Sequence, residues 1–255
     1  MLTIAYSTLT NRLGKIALPD LSGHQSWEVL ITVQSGNDSQ PDLSSAPGNV
    51  QVLGFSGAGV SKIRNKSIEN AKTRYLVFAD DDIEFDLDCL ALAVEKLKSS
   101  GAALLLGMAQ DETGKLRKRY PDKAGKLNKF NSAKAATYEM VVDLEQIKAK
   151  GIRFDENFGA GAKENYLGDE YIFICDLISA GLSCVFEPIV LATHPSISSG
   201  SGWGTDRDRK ARAVVFDRAF RGNRTLPYLA RIGFGARKLG KELTLGNYFK
   251  FIFKR

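Results

Sequence analysis

Cysteine, histidine and proline are all scarce in this 255-residue chain, at three, two and seven residues. The cysteines, Cys89, Cys175 and Cys184, are irregularly spaced and form no Cys-x-x-Cys pair. So few thiols exclude a disulfide framework and favour a reducing, cytoplasmic setting. Long apolar runs are missing too. No stretch approaches the ~18–20 residues that span a bilayer, so any membrane contact is expected from the surface. The opening Met1-Leu-Thr-Ile-Ala-Tyr6 has no basic segment ahead of an apolar run, and is expected not to be a signal peptide. Nothing in the composition reads as disordered or fibrous. The length fits one large domain, or one domain with an appendage.

Charge is present in both signs but unevenly placed. The net charge of +6 combines +11 over residues 207–255, fourteen cations against three acids, with −5 over the rest. A strongly basic tail on a mildly acidic body suits an anionic partner such as a membrane surface, a polyanion or nucleic acid. It also suits a solvated helical face.

Short branched or apolar runs at 3–9, 29–33, 50–55, 75–79 and 102–108 read as strands. Residues 60–71 and 89–98 have helical character, the second through Leu90, Ala93, Val94 and Leu97. Strands alternating with helices imply βαβ units, hence an α/β fold with a mainly parallel sheet and flanking helices. Residues 111–135 are Lys-rich, punctuated by Gly and poor in apolar anchors, and read as a mobile loop able to order over a ligand. Residues 155–168 again read as loop. Ile172, Phe173, Leu177 and Ile178 then mark a helix over 169–180 that ends at Gly181. Segments 184–186 and 189–192 form the last strand or pair of strands. After a Ser/Gly-rich stretch at 196–204, Ala211, Val214, Val215 and Phe216 form a helix stripe, and residues 248–255 interleave aromatics with cations.

The sharpest chemical signal is Asp80-Asp81-Asp82 at the end of an apolar strand, where functional groups of α/β sheets gather. Adjacent carboxylates repel and need compensation. A divalent cation supplies it, because Mg²⁺ and Mn²⁺ prefer hard oxygen ligands. A solvated acidic turn is the plain alternative. Upstream, Gly57-Ala-Gly59-Val-Ser61 opens a helix whose first N–H groups suit an anion, and Arg64 could add a charge-assisted contact to phosphate.

These residues resemble the family 2 glycosyltransferases of the GT-A fold. The resemblance rests on Gly59-Val-Ser61-Lys-Ile-Arg64-Asn65, then the apolar strand and Asp80-Asp81-Asp82. A second patch follows the family's acceptor-side order: Phe154-Asp-Glu-Asn-Phe158-Gly159-Ala-Gly161, Gly168-Asp169-Glu170, Gly181, Pro188 and His194. It covers about residues 1–200, with a donor half at 1–108 and an acceptor half at 109–200. Residues 201–255 are then a basic, aromatic, helical extension.

The resemblance implies a nucleotide-diphosphate sugar donor, expected to be UDP-linked, and a divalent metal, Mn²⁺ or Mg²⁺. It implies metal contacts from Asp82, Asp80 and His194, and donor contacts from Thr8, Gln34, Asp38, Ser61, Arg64, Asp80 and Asp81. Glu170 becomes the base and Asp169 contacts the acceptor. The transfer is expected to be inverting, onto a saccharide or lipid-linked saccharide, with hexosyl or N-acetylhexosaminyl groups, in cell-surface polysaccharide or glycolipid assembly. The tail is expected to meet the inner face of the plasma membrane. Two departures stand out. Gln34 lies where many members carry an Asp that reads the nucleobase, and the acidic pair runs Asp-Glu rather than Glu-Asp. The alternatives are a nucleotidyltransferase, and a catalytically inactive GT-A fold that binds a membrane or polyanion. No base-stacking motif points to nucleic acid.

Overall fold

The structure, a computed structural model, describes residues 1–35, 48–196 and 205–254. Five parallel-type strand signals in the sequence become strands: β1 (Leu2–Leu9), β2 (Glu28–Ser35), β3 (Val50–Ser56), β4 (Tyr75–Asp80) and, after α2 (Leu87–Ser100), β6 (Leu104–Gln110). Helix α1 (Val60–Asn70) leads into β4, and the two-residue β5 (Glu84–Phe85) follows it. Residues 109–200 add β7 (Gly125–Lys126), β8 (Met140–Asp143), α3 (Leu144–Ala149), α4 (Asp169–Ser179) and β9 (Cys184–Thr193). The two late apolar segments are thus one ten-residue strand. Helices α5 (Asp206–Ala219), α6 (Leu226–Ala236) and α7 (Leu245–Phe253) complete the described chain.

The strands form one mixed sheet in the order β3-β2-β1-β4-β8-β6-β9-β5, with β7 on β9. The first four are mutually parallel, and β8 enters antiparallel to both β4 and β6. Burial on both faces explains the continuous apolar runs of β1, β2 and β4. One face packs Leu2, Ile4 and Tyr6 against Leu90, Val94 and Leu97 of α2. The other packs Leu76 and Phe78 against Ile68 of α1, Ile147 of α3 and Phe173 and Leu177 of α4. A third cluster joins Tyr171, Ile172 and Cys175 of α4 to Ala213, Val215 and Phe216 of α5 and Phe251 of α7.

The segment 111–135 has more anchors than its sequence suggests. Tyr120 and Leu127 are buried in the core. The Tyr120 hydroxyl donates to Glu139 Oε1 at 2.6 Å, and Lys118 Nζ donates to Glu139 Oε2 at 2.6 Å. Glu139 is fully buried, so these two donors satisfy a charge that would otherwise be costly. Among the described residues, no helix is long and apolar enough to cross a membrane.

Candidate active site

The carboxyl end of β4 delivers the Asp triplet, and strand geometry divides it. Successive side chains of a strand point to opposite faces. Asp80 therefore shares the face of Phe78, toward α1 and α4, and Asp81 takes the other. Parallel pairing sets Ser7 beside Asp80 on β1. Asp81 is buried and accepts a hydrogen bond from Thr8 Oγ1 at 2.7 Å and another from Arg12. Asp82 is partly exposed, and Arg12 Nη2 lies 3.7 Å from its carboxylate. Part of the compensation that three carboxylates need thus comes from Arg12 on one face and Arg64 on the other.

Arg64 is the hub of the cleft. It projects from α1, is only 4% exposed, and lies over the Phe154 ring. Its Nη1 donates to Asp169 Oδ2 at 2.5 Å and lies 3.7 Å from Glu170 Oε1, while Nη2 reaches Asp80 Oδ1 at 3.4 Å. Burial opposes its charge, yet Asp169, Asp80 and Glu170 together hold its pKa above the ordinary value. Desolvation raises the Asp80 pKa, opposed by Arg64 and reinforced by Asp82 and Asp169. Asp169 and Glu170 form the first turn of α4, where the helix dipole favours acids. The Glu170 carboxyl, accepting from Thr137 Oγ1 at 3.2 Å, is pushed up to about 8. Desolvation is the main cause and the adjacent Asp169 the second, against the pull of Arg64.

The two sequence patches turn out to be one structural unit. Ser61 Oγ donates to the Phe158 carbonyl at 2.6 Å, and Asn65 Nδ2 donates to the Phe154 carbonyl at 3.0 Å. Phe154 N–H returns a bond to Asn65 Oδ1 at 2.8 Å, and Val60 N–H donates to the Ala160 carbonyl at 2.9 Å. The α1 start and the 154–161 loop therefore fold against each other, and Arg64 is carried in between.

Gly159 makes that closure possible. Its φ is +96°, and a Cβ there would sit 2.8 Å from Asp169 Cγ and 2.9 Å from Val60 Cγ1. Gly159→Ala is expected to cost about 1–3 kcal/mol of stability and to lower further any activity that depends on Asp169, by displacing it. Urea unfolding and initial rates check both. Gly114→Ala is the control: it shares a positive φ, at +82°, with nothing within 4 Å, so it carries the backbone penalty alone. Equal losses in the two variants would remove the Asp169 argument.

His194 follows β9. Thr193, just before it, pairs with Glu84 of β5, and the His194 N–H donates to the Gln110 carbonyl at 3.0 Å. It is buried, with its ring 5.0 Å from that of Tyr138. Its Nδ1 lies 2.7 Å from the Pro195 carbonyl. A carbonyl only accepts, so Nδ1 is the donor in this contact. Among the described residues, no three His, Cys, Asp or Glu side chains stand together as a ready metal cluster.

The other expected contacts are distributed as follows. Thr8 and Asp81 bind each other, and Ser61 is spent on the Phe158 carbonyl. Gln34 sits half-buried at the carboxyl end of β2, its carbonyl taken by Thr10 Oγ1 at 3.2 Å. Asp38 lies outside the described residues. Asn65 entered the sequence reading only as part of its motif, with no role, and Arg12, Thr137 and Ser7 were not anticipated. Ser7 is 7% exposed and its hydroxyl has no partner among the described residues, although it adjoins Asp80. Arg12 and Ser7 flank the end of the first strand, the one signal that could have found them.

The mixed sheet, with carboxylates at the end of β4 and an acidic helix start beside them, is consistent in its architecture with the GT-A fold. Residues 20–138, just under half of the chain, match the model of glycosyl transferase family 2. Similar solved structures agree on the fold. TarS 1–349 of S. aureus in complex with UDP-GlcNAc aligns at TM-score 0.59 and 12% identity, covering 98% of this chain and 81% of that one. The mannosyltransferase PcManGT of Pyrobaculum calidifontis, in complex with GDP-Man and Mn²⁺, aligns at TM-score 0.61 and 14% identity, covering 99% and 73%. Against the longer S. aureus TarS chain, at TM-score 0.60 and 14% identity, 94% of this chain is covered but only 44% of that one. The curated proteins offer no match.

Proposed function

We propose that this chain is an inverting glycosyltransferase. It moves a hexosyl or N-acetylhexosaminyl group from a nucleotide-diphosphate sugar, UDP-linked, to an acceptor hydroxyl. The acceptor is a saccharide or lipid-linked saccharide of cell-surface polysaccharide or glycolipid assembly, and the protein works in the cytoplasm. The observation that carries the reading is Arg64, which ties Asp80 at the donor end of the cleft to Asp169 and Glu170 at the acceptor end.

The residues fit a divalent ion with a diphosphate. Asp80 and Asp82 are the two partly exposed members of the triplet. Two carboxylates with phosphate and water are a set that Mg²⁺ commonly takes. His194, its Nδ1 proton engaged by Pro195, would offer Nε2 in the manner of an oriented metal histidine. The orphaned Ser7 hydroxyl beside Asp80 is a polar group suited to a donor atom. Bound there, Mn²⁺ or Mg²⁺ would neutralise charge on the departing diphosphate. The complexes of TarS with UDP-GlcNAc and of PcManGT with GDP-Man and Mn²⁺ support this donor class.

Glu170, with its raised affinity for a proton, takes the proton of the acceptor hydroxyl as it attacks the anomeric carbon. Asp169, fixed by Arg64, orients that hydroxyl. A single displacement inverts the anomeric centre.

Thermal shift with UDP and GDP, each with and without Mn²⁺, tests the reading. A ligand at about 100 times its Kd adds ~2.7 kcal/mol to the native state. A metal-dependent rise in Tm for UDP, lost in Asp82→Ala, is expected. No shift with either nucleotide would overturn the reading. Release of pyrophosphate rather than nucleoside diphosphate from a sugar nucleotide would reassign the chemistry to nucleotidyl transfer.

A further inference from the structure

Helices α6 and α7 leave an apolar face uncovered. On α6 the inward positions Pro227, Ala230, Arg231 and Gly235 are buried, and Arg231 pairs with Asp217 at 2.9 Å. The outward positions are Tyr228, Leu229 and Ile232, all exposed. On α7, Phe251 and Ile252 face inward. Leu245, Phe249 and Phe253, spaced by four, form one outward line and are 60%, 50% and 57% exposed. The Tyr248 hydroxyl donates to the Ile232 carbonyl at 3.3 Å, so the turn carrying Ile232 lies against the turn carrying Phe249. Gly235 allows this contact, since a Cβ there would meet the Tyr248 ring at 2.8 Å. The two outward stripes are therefore neighbours.

Exposed cations lie on and between the same two helices. Residues 221–254 contain eight Lys and Arg and a single acid, Glu242. Arg224, Arg237, Lys241 and Lys250 are exposed. Six large apolar side chains exposed on two neighbouring helices mark an interaction site. A second copy of the same face would meet like charge, which disfavours self-association. A soluble polyanion would use the cations and gain nothing from Leu245, Phe249 and Phe253. A lipid surface of negative charge matches both halves, with aromatics entering the headgroup boundary and cations meeting phosphates.

We propose that the α6–α7 face docks this protein on an anionic phospholipid bilayer. The inference is independent of the sugar-transfer reading, because it uses no residue of the cleft.

Vesicle flotation of the full chain tests it. The protein is expected to float with vesicles of phosphatidylcholine mixed with phosphatidylglycerol, to float poorly with phosphatidylcholine alone, and to be released by salt. Lys241→Gln and Lys250→Gln should each lower partitioning about five-fold. Phe249→Ser with Phe253→Ser should lower it at least ~ten-fold. Unchanged melting temperatures keep the variants interpretable, since all four side chains are exposed. In Phe249→Trp, the indole emission should shift to the blue on the mixed vesicles. No flotation, equal flotation with neutral vesicles, binding of soluble polyphosphate without vesicles, or a concentration-dependent dimer lost in the Phe variants would each overturn the proposal.

Discussion

Replacing Arg64 by methionine is expected to destabilise the protein by about 3–5 kcal/mol at neutral pH and to abolish transfer. The guanidinium is buried among Asp169, Glu170 and Asp80. Removing it leaves these carboxylates without their cation in a desolvated cleft, so their folded-state pKa values rise. A raised carboxyl pKa contributes stability below its unfolded value and loses it as pH climbs through the folded value. The deficit of the variant should therefore shrink on the acid side of about pH 5. Urea denaturation at acidic and neutral pH measures this. An equal deficit at both would mean that lost packing on Phe154, rather than charge, is the cause. Arg64→Lys restores the charge but not the fork that spans two carboxylates at once, so it should recover stability better than activity.

Glu170→Gln is expected to lower kcat by about 10²–10⁴-fold. The substitution keeps an acceptor for Thr137 and removes only the ability to take a proton. With its carboxyl pushed up to about 8, wild-type kcat/KM should rise with pH and level off above that value. Stability should run the opposite way. The group is held protonated in the fold relative to its ordinary value of 4.5, so stability is fully present below 4.5 and lost as pH rises through about 8. Glu170→Gln should flatten both profiles. A variant that retains full kcat would reassign the base to Asp169, and one that retains the pH dependence would place the titration elsewhere.

The motifs that suggested the function were legible because their chemistry is local. A run of apolar residues ending in Asp80-Asp81-Asp82, or a helix opening on Asp169-Glu170, carries its signal within a few residues. The partners were not legible, because they come from far along the chain. Thr8 meets Asp81 across 73 positions, and Arg64 meets Asp169 across 105. Ser61 and Asn65 illustrate the gap. Their pattern carries the resemblance to a glycosyltransferase family, yet in the fold they bond the backbone at Phe158 and Phe154 and tie α1 to the 154–161 loop. Strand direction was hidden as well: a short apolar run such as Met140–Asp143 reads the same whether it joins the sheet parallel or antiparallel.

The sequence by itself determined the period of the long buried segments, the order of the main strands and helices they form, and the acidic residues available at strand and helix ends. These follow from side-chain type and near-neighbour spacing. Tertiary structure alone decided which carboxylate of the triplet faces the cleft, because the pleat sends Asp80 toward Arg64 and Asp81 toward Thr8 and Arg12. It alone decided that Glu170 holds its proton more tightly than an ordinary carboxyl, because desolvation and the neighbouring Asp169 outweigh Arg64 only once α1 and α4 are brought together.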